Sequence, residues 1–199
     1  MTRALVVLAH PLPDSLCRHL AEGAVKAARD QGWQVTLRDL CEEGFDPRMT
    51  AEERSSYYSG FHGDSAKEVE DLVQAQVLIL IFPTWWFGFP AVLKGWFDRI
   101  WAPGAAYDHA PGFGPMIPRL DGLREVLAIT TMGAPGWVDW LVMRRPLARV
   151  LRLGIVRPCA PKARVTWRAL YRAEAVEPAR LAGFKVRIER EIAAMARRV

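Results

Sequence analysis

The chain has 199 residues, enough for one domain with a full core, and with 51% hydrophobic and 25% charged residues it is globular in make-up. Its net charge of +5 is carried mostly by arginine, concentrated over 144–172 and at the C-terminal end, and no nucleic-acid-binding motif accompanies it. No apolar run approaches the roughly 18–20 residues that span a bilayer, and Cys17, Cys41 and Cys159, with no CxxC pair, argue against a disulfide scaffold or zinc site and suit a reducing cytoplasm.

Ala4-Leu5-Val6-Val7-Leu8-Ala9 reads as a central parallel strand, apolar on both faces, and no charged leader precedes it to favour a signal peptide. Residues 15–31 predict a helix with Ser15 as N-cap and Gly32 just past its end. Trp33 to Leu37 alternates as a second strand. Residues 41–65 are irregular and polar, punctuated by Asp46-Pro47 and Gly60, with a short helix near 50–58. A helix near 65–74 leads to a strand at 77–82. The next helix, 90–101, starts at Pro90 and carries an apolar stripe of Val92, Leu93, Trp96, Phe97 and Ile100. After a Pro/Gly-rich loop at 102–122, Val126 to Thr130 is a fourth strand. Residues 137–151 predict a helix whose stripe runs through Trp140, Leu141, Leu147 and Leu151, with Pro146 as a kink or break. A fifth strand is expected within 155–166, and Leu181, Phe184, Ile188, Ile192 and Met195 close the chain with an amphipathic helix. Alternating strands and helices predict a single α/β domain over 1–199, a flavodoxin-like three-layer sandwich around a five-stranded parallel sheet of order 2-1-3-4-5.

In that topology the first, third and fourth strands are neighbours, and their C-terminal ends open onto one crevice. The loop His10-Pro11-Leu12-Pro13-Asp14-Ser15 enters a helix whose free N–H groups and positive dipole end suit a phosphate, with Ser15 adding a hydroxyl and His10 a ring N–H. Pro83 to Gly88 offers aromatic walls in Trp85, Trp86 and Phe87 together with backbone donors. Thr131-Met132-Gly133-Ala134-Pro135-Gly136 offers a small floor. Each residue also has a plainer reading: His10 as a strand-end histidine, Ser15 as a cap alone, and Trp85, Trp86, Trp137 and Trp140 as packing. Phosphate donors on one side and stacking surfaces on the other describe a flavin nucleotide site. The positive charge fits either a solvated arginine-rich surface or attraction of an anionic nicotinamide dinucleotide.

Three segments carry a family resemblance. Val7-Leu8-Ala9-His10-Pro11 followed by Ser15, then Pro83-x-x-Trp86-Phe87-x-x-Pro90-Ala91-x-Leu93-Lys94-Gly95-Trp96-Phe97-Asp98-Arg99, then Thr130-Thr131-x-Gly133 resemble, in order, the flavodoxin-like NAD(P)H:quinone oxidoreductases. The resemblance implies a homodimer with a flavin at each subunit interface: FAD, with FMN as the alternative. It implies NAD(P)H as reductant and a quinone or similar aromatic acceptor, in a ping-pong cycle without a metal, a nucleic acid or membrane insertion. His10, Ser15, Leu16 and Cys17 would hold phosphates, while Pro83, Thr84, Trp85, Trp86 and Phe87 would flank the ring system. Thr130, Thr131 and Gly133 would close the other side, with Tyr107 (in Gly104-x-Ala106-Tyr107) and Trp137 near the substrate mouth.

The chain departs from mammalian-type members at Cys17, where they have Asn, and at Met132, where they have Gly. The stretch Gly136 to Arg145 lacks their Tyr and His, which leaves Arg144 and Arg145 as candidates to stabilise charge or to grip a nicotinamide phosphate. The same site would suit an azo, nitro or flavin reductase. From other classes, the fold also serves as a flavodoxin-type electron carrier, usually acidic where this chain has a pI near 9.4, and as an ancillary subunit of potassium-efflux systems.

Overall fold

A computed structural model describes residues 1–59, 63–112 and 114–199; the punctuating Gly60 lies outside them. In chain order the elements are β1 (Arg3–Leu8), α1 (Leu16–Asp30), β2 (Gln34–Asp39), α2 (Ala51–Ser55), α3 (Ala66–Gln74), β3 (Val77–Pro83) and α4 (Ala91–Ile100). A short antiparallel pair follows, β4 (Tyr107–His109) and β5 (Met116–Pro118), and then β6 (Glu125–Met132). A π-helical turn (Val138–Val142) precedes α5 (Pro146–Arg149), which runs through a π-helical stretch (Val150–Val156) into α6 (Arg157–Cys159). Strand β7 (Arg164–Tyr171) and the long helix α7 (Pro178–Ala196) complete the chain.

The five long strands form a parallel sheet of order β2-β1-β3-β6-β7, the predicted 2-1-3-4-5 arrangement. Strands β3 and β6 are buried along their whole length, as continuous apolar runs must be when both faces are covered. Alternate residues feed two cores. Leu5, Val7, Leu78, Leu80, Phe82, Val126 and Ala128 pack beneath α3, α4 and the α5–α6 segment. Val6, Leu8, Ile79, Ile81, Leu127 and Ile129 pack beneath α1 and α7.

Helix α1 is bounded as its sequence predicts. Ser15 is extended at the N-cap and accepts the Arg18 amide, while Gly32 turns the chain out at φ 76°. The excursion after β2 is locked to α4 at two points. A Cβ on Gly95 would stand 2.2 Å from the Pro47 carbonyl oxygen, so only glycine permits that approach. Arg99, buried in α4, donates to Glu53 at 2.6 Å and 2.9 Å and to the Asp46 carbonyl at 2.7 Å.

Three expectations need correction. The fifth strand lies at 164–171, not within 155–166, because the apolar run Leu151 to Val156 stays helical against the sheet. Residues 137–151 are not one helix: the chain breaks at Arg144 and Arg145, both left-handed at φ 54° and 53°, and restarts with Pro146 at the first helical turn. Leu147 and Leu151 are buried there, but Trp140 and Leu141 are 55% and 75% exposed, so the continuous stripe does not form. The loop at 102–122 contains the β4–β5 pair, too short to announce itself by alternation.

Candidate functional site

The parallel register sets the ends of β1, β3 and β6 side by side, Leu8 against Ile81 and Pro83 against Thr131. Three loops leave this edge together, and hydrogen bonds tie them to one another. Thr84 donates its amide to the Thr131 carbonyl at 2.7 Å, and its hydroxyl lies 2.7 Å from that of Thr130. Cys17 Sγ sits 3.5 Å from Thr131 Oγ1, joining the first loop to the third. The His10 and Trp85 rings are neighbours, tilted at 57° with centroids 6.4 Å apart.

In the first loop, the Leu12 amide donates to His10 Nδ1 at 3.1 Å. Burial holds the imidazole below its usual pKa, so the ring is neutral with its proton on Nε2, free to donate outward. The first two amides of α1, on Leu16 and Cys17, meet no protein acceptor among the described residues, and the first helical turn holds no acidic side chain. Such an end favours an anion. Arg18 is not available to it, because Asp39 at 2.7 Å and Glu42 at 2.5 Å engage its guanidinium. The Cys17 side chain is core, and burial pushes its thiol up to about 11, so it acts by packing rather than as a thiolate.

The second loop is a two-residue hairpin. Trp85 and Gly88 exchange both main-chain hydrogen bonds, at 3.2 Å and 2.8 Å, around Trp86 and Phe87. Both central residues are left-handed, at φ 50° and 55°, a conformation such turns usually assign to Asn and Gly. Large aromatics there are strained by about 1 kcal/mol or more each. The Trp86 side chain is 100% exposed, so the fold gains nothing from burying it. The amides of Trp86 and Phe87 also donate to nothing among the described residues.

The third loop divides its labour. Thr130 is fully buried with its hydroxyl on Thr84, which makes it a brace between loops rather than a free donor. Gly133 is exposed beside the Glu174 carboxylate, 3.2 Å from where a Cβ would stand. A Cβ on Gly136 would stand 3.1 Å from the Tyr171 ring. Beneath the π-helical turn, buried Asp139 accepts from the Tyr171 hydroxyl at 2.8 Å, and Trp140 Nε1 donates to the same hydroxyl at 3.1 Å. Burial and the Asp139 charge push the Tyr171 hydroxyl up to about 12, so it remains a donor at neutral pH. Neither Asp139 nor Tyr171 was singled out from sequence; the signal was an acid set inside the apolar stretch 137–143.

The remaining candidates lie further out. Trp137 is exposed where the third loop enters the π-helical turn. Arg144 is exposed, and Arg145 lies over the Trp140 ring at 4.2 Å. Tyr107 is in a separate aromatic cluster, 5.4 Å from the His109 ring and bonded to Tyr57, so within one chain it joins that cluster and not the three loops.

Residues 2–152 match the family described as having a flavodoxin-like fold. The chain belongs to that family. An uncharacterized NAD(P)H oxidoreductase of Escherichia coli, YcaK, is 36% identical over 108 residues, covering 53% of this chain and 55% of that protein. NAD(P)H dehydrogenase (quinone) 1 of Cavia porcellus is 34% identical over 154 residues, covering 67% of this chain and 54% of that protein. The chain thus spans about half the length of these curated relatives. Among solved structures, Smu.1420 from Streptococcus mutans has a TM-score of 0.79 at 26% identity, over 96% of this chain and 98% of that one. The family match places the predicted fold and the predicted resemblance on the same residues, with all three crevice loops inside 2–152.

Proposed function

We propose that the protein is a flavin-dependent NAD(P)H:quinone-type oxidoreductase with its cofactor in the three-loop crevice. The observation that carries this reading is the Trp85–Gly88 hairpin, which holds a fully exposed indole in a strained turn across from a helix end whose first two amides stay free for an anion. A protein does not keep that combination for stability; a flat anionic ligand uses both halves of it. The names of the curated relatives support the same reaction class.

The residues present fit such a cofactor. The Leu16 and Cys17 amides would hold a phosphate, with His10 Nε2–H and the Ser15 hydroxyl beside them. Trp85, Trp86 and Phe87 would flank the ring system, and the unpaired amides of Trp86 and Phe87 would meet its polar edge. Thr131 and Gly133 would close the opposite side, held in place by the Thr84–Thr130 brace. When bound, a flavin accepts hydride from a reduced nicotinamide and passes it to a quinone. This chain's contribution is to position the partners, exclude water with aromatic walls, and set N–H donors where negative charge develops. No side-chain nucleophile is needed. FAD is the flavin we expect, with FMN as the alternative, since the α1 end takes a phosphate of either. Trp137, Leu141 and Val142 form an exposed apolar rim beside the crevice, the face on which we place a second copy of the chain and, with it, that copy's Tyr107.

The test is the visible spectrum of the protein after flavin addition, taken anaerobically before and after NADPH or NADH. A bound flavin band that bleaches and returns with quinone is the expected result. A protein that retains neither FAD nor FMN refutes the proposal.

A further inference from the structure

Beyond the crevice, a cavity of about 440 Å³ runs along the open edge of β7, between that strand and the α5 segment. Two rows of arginine face it. Arg149 and Arg152 lie three apart on the helical segment with Arg145 at its N-cap, and Arg164 and Arg168 lie four apart on the strand. One carboxylate, Glu191, lines the cavity with them and is paired to Arg168. Among the described residues, Arg145, Arg149, Arg152 and Arg164 have no carboxylate partner, which leaves about four uncompensated positive charges around one groove. Three lining residues, Arg145, Trp167 and Arg168, each keep a buried side-chain N–H with no acceptor. The donors that a ligand in the groove would meet are the exposed guanidinium groups of Arg149 and Arg152.

Arg145, at the groove, lies over Trp140, whose own N–H bonds Tyr171 beneath the third loop, so a chain of contacts links the groove to the crevice. We propose that this groove binds the 2′-phosphorylated adenosine end of NADPH, a reading that rests on the function proposed above. The charge count decides between the two reduced dinucleotides. A phosphate monoester carries about −1.5 to −2 at neutral pH, so together with the diphosphate it matches the groove, whereas NADH leaves about half of the positive charge unmatched. Arginine forks also suit phosphate oxygens by shape as well as by charge.

The experiment uses the full chain and a double variant, Arg149→Gln with Arg152→Gln, both exposed side chains, with circular dichroism as the check that the fold is retained. Calorimetric titration with adenosine 2′,5′-bisphosphate, adenosine 5′-diphosphate and inorganic phosphate needs no turnover. The 2′,5′-bisphosphate is expected to bind about tenfold more tightly than the 5′-diphosphate, a margin the variant loses. In turnover, KM for NADPH rises about tenfold in the variant while KM for NADH and both kcat values hold. Equal binding of the two nucleotides, binding of inorganic phosphate as tight as that of the bisphosphate, or a variant with unchanged NADPH preference overturns the inference and leaves these arginines as guards of an open strand edge. A protein that discriminates the nucleotides as expected but reduces no quinone refutes the proposed reaction and not the groove. Quinone reduction that ignores the arginines does the reverse.

Discussion

Replacing Trp86 by glycine separates what the indole does for the fold from what it does for a ligand. Because Trp86 is fully exposed, removing its side chain forfeits no buried surface. Its φ of 50° costs an L-residue about 1–2 kcal/mol that glycine does not incur. Glycine's greater freedom in the unfolded chain returns about 0.5–1 kcal/mol of that gain. The net effect on the ligand-free protein is therefore stabilising by about 0.5–1 kcal/mol, and Tm rises by about 1–4 °C for a chain of this size. Stacking on a planar ring contributes about 1–3 kcal/mol, so flavin affinity falls roughly 5- to 150-fold. Trp86→Ala loses the same stacking without relieving the backbone, so it weakens flavin binding equally and leaves Tm flat. The assays are thermal unfolding by circular dichroism and a flavin fluorescence titration on each variant. A glycine variant that melts several degrees lower would show that the indole packs. Unchanged flavin affinity in both variants would remove the stacking role.

Ser15→Asp keeps the cap on the Arg18 amide but places a negative charge where a phosphate would sit, so Tm should hold while flavin affinity drops; Ser15→Ala should instead lose about 1 kcal/mol of stability. An aspartate variant that binds flavin as the parent does would confine Ser15 to capping. Gly95→Ala drives a methyl into the Pro47 carbonyl and should cost about 3 kcal/mol, read by denaturant midpoint. For Glu53, burial pushes the carboxyl up, but the hydrogen bonds from Arg99 and from the Thr50 amide outweigh it and leave the group below its usual value. A depressed carboxyl stabilises the fold above its unfolded value of about 4.5 and loses that contribution as pH falls through the folded value. Stability measured from pH 6 to pH 3 should fall in the parent and fall less steeply in Glu53→Gln, whose overall stability is lower because Arg99 stays buried. Parallel pH curves would contradict the assignment.

Much of the frame was legible because it rests on patterns that burial enforces. The apolar runs of β1, β3 and β6 have no alternative inside a covered sheet, and Ser15 and Gly32 bound α1 by their local chemistry. The edge of the sheet was harder to read. β7 mixes Arg164 and Arg168 with Trp167 and Leu170, because one of its edges is open, while the preceding helical stretch holds the denser apolar run and so imitates a strand. In the candidate site, sequence placed the three loops but not their internal wiring. The resemblance set Thr130 among the residues closing the far side of the site; its hydroxyl lies against that of Thr84, an orientation that residue type does not encode.

Backbone strain draws the site more sharply than composition does. The described non-glycine residues with positive φ are Trp86, Phe87, Arg144, Arg145 and Arg172. Trp86 and Phe87 follow the C-terminal end of β3 and Arg172 that of β7, the edge where an open parallel sheet binds ligands, while Arg144 and Arg145 lie beyond the π-helical turn after β6. Positive-φ glycines lie elsewhere, at Gly32, Gly44, Gly63, Gly104 and Gly112, where turns use the residue suited to them. Glycine was therefore compatible with this fold wherever only chain reversal was needed. In the second crevice loop the chain instead holds two aromatics in the same conformation, and three arginines adopt it further out, at a cost of about 1–2 kcal/mol each. That cost is compensated only if the side chains act. Aromatic faces and guanidinium groups at one sheet edge are the chemistry that a flat, phosphorylated cofactor and a phosphorylated reductant require.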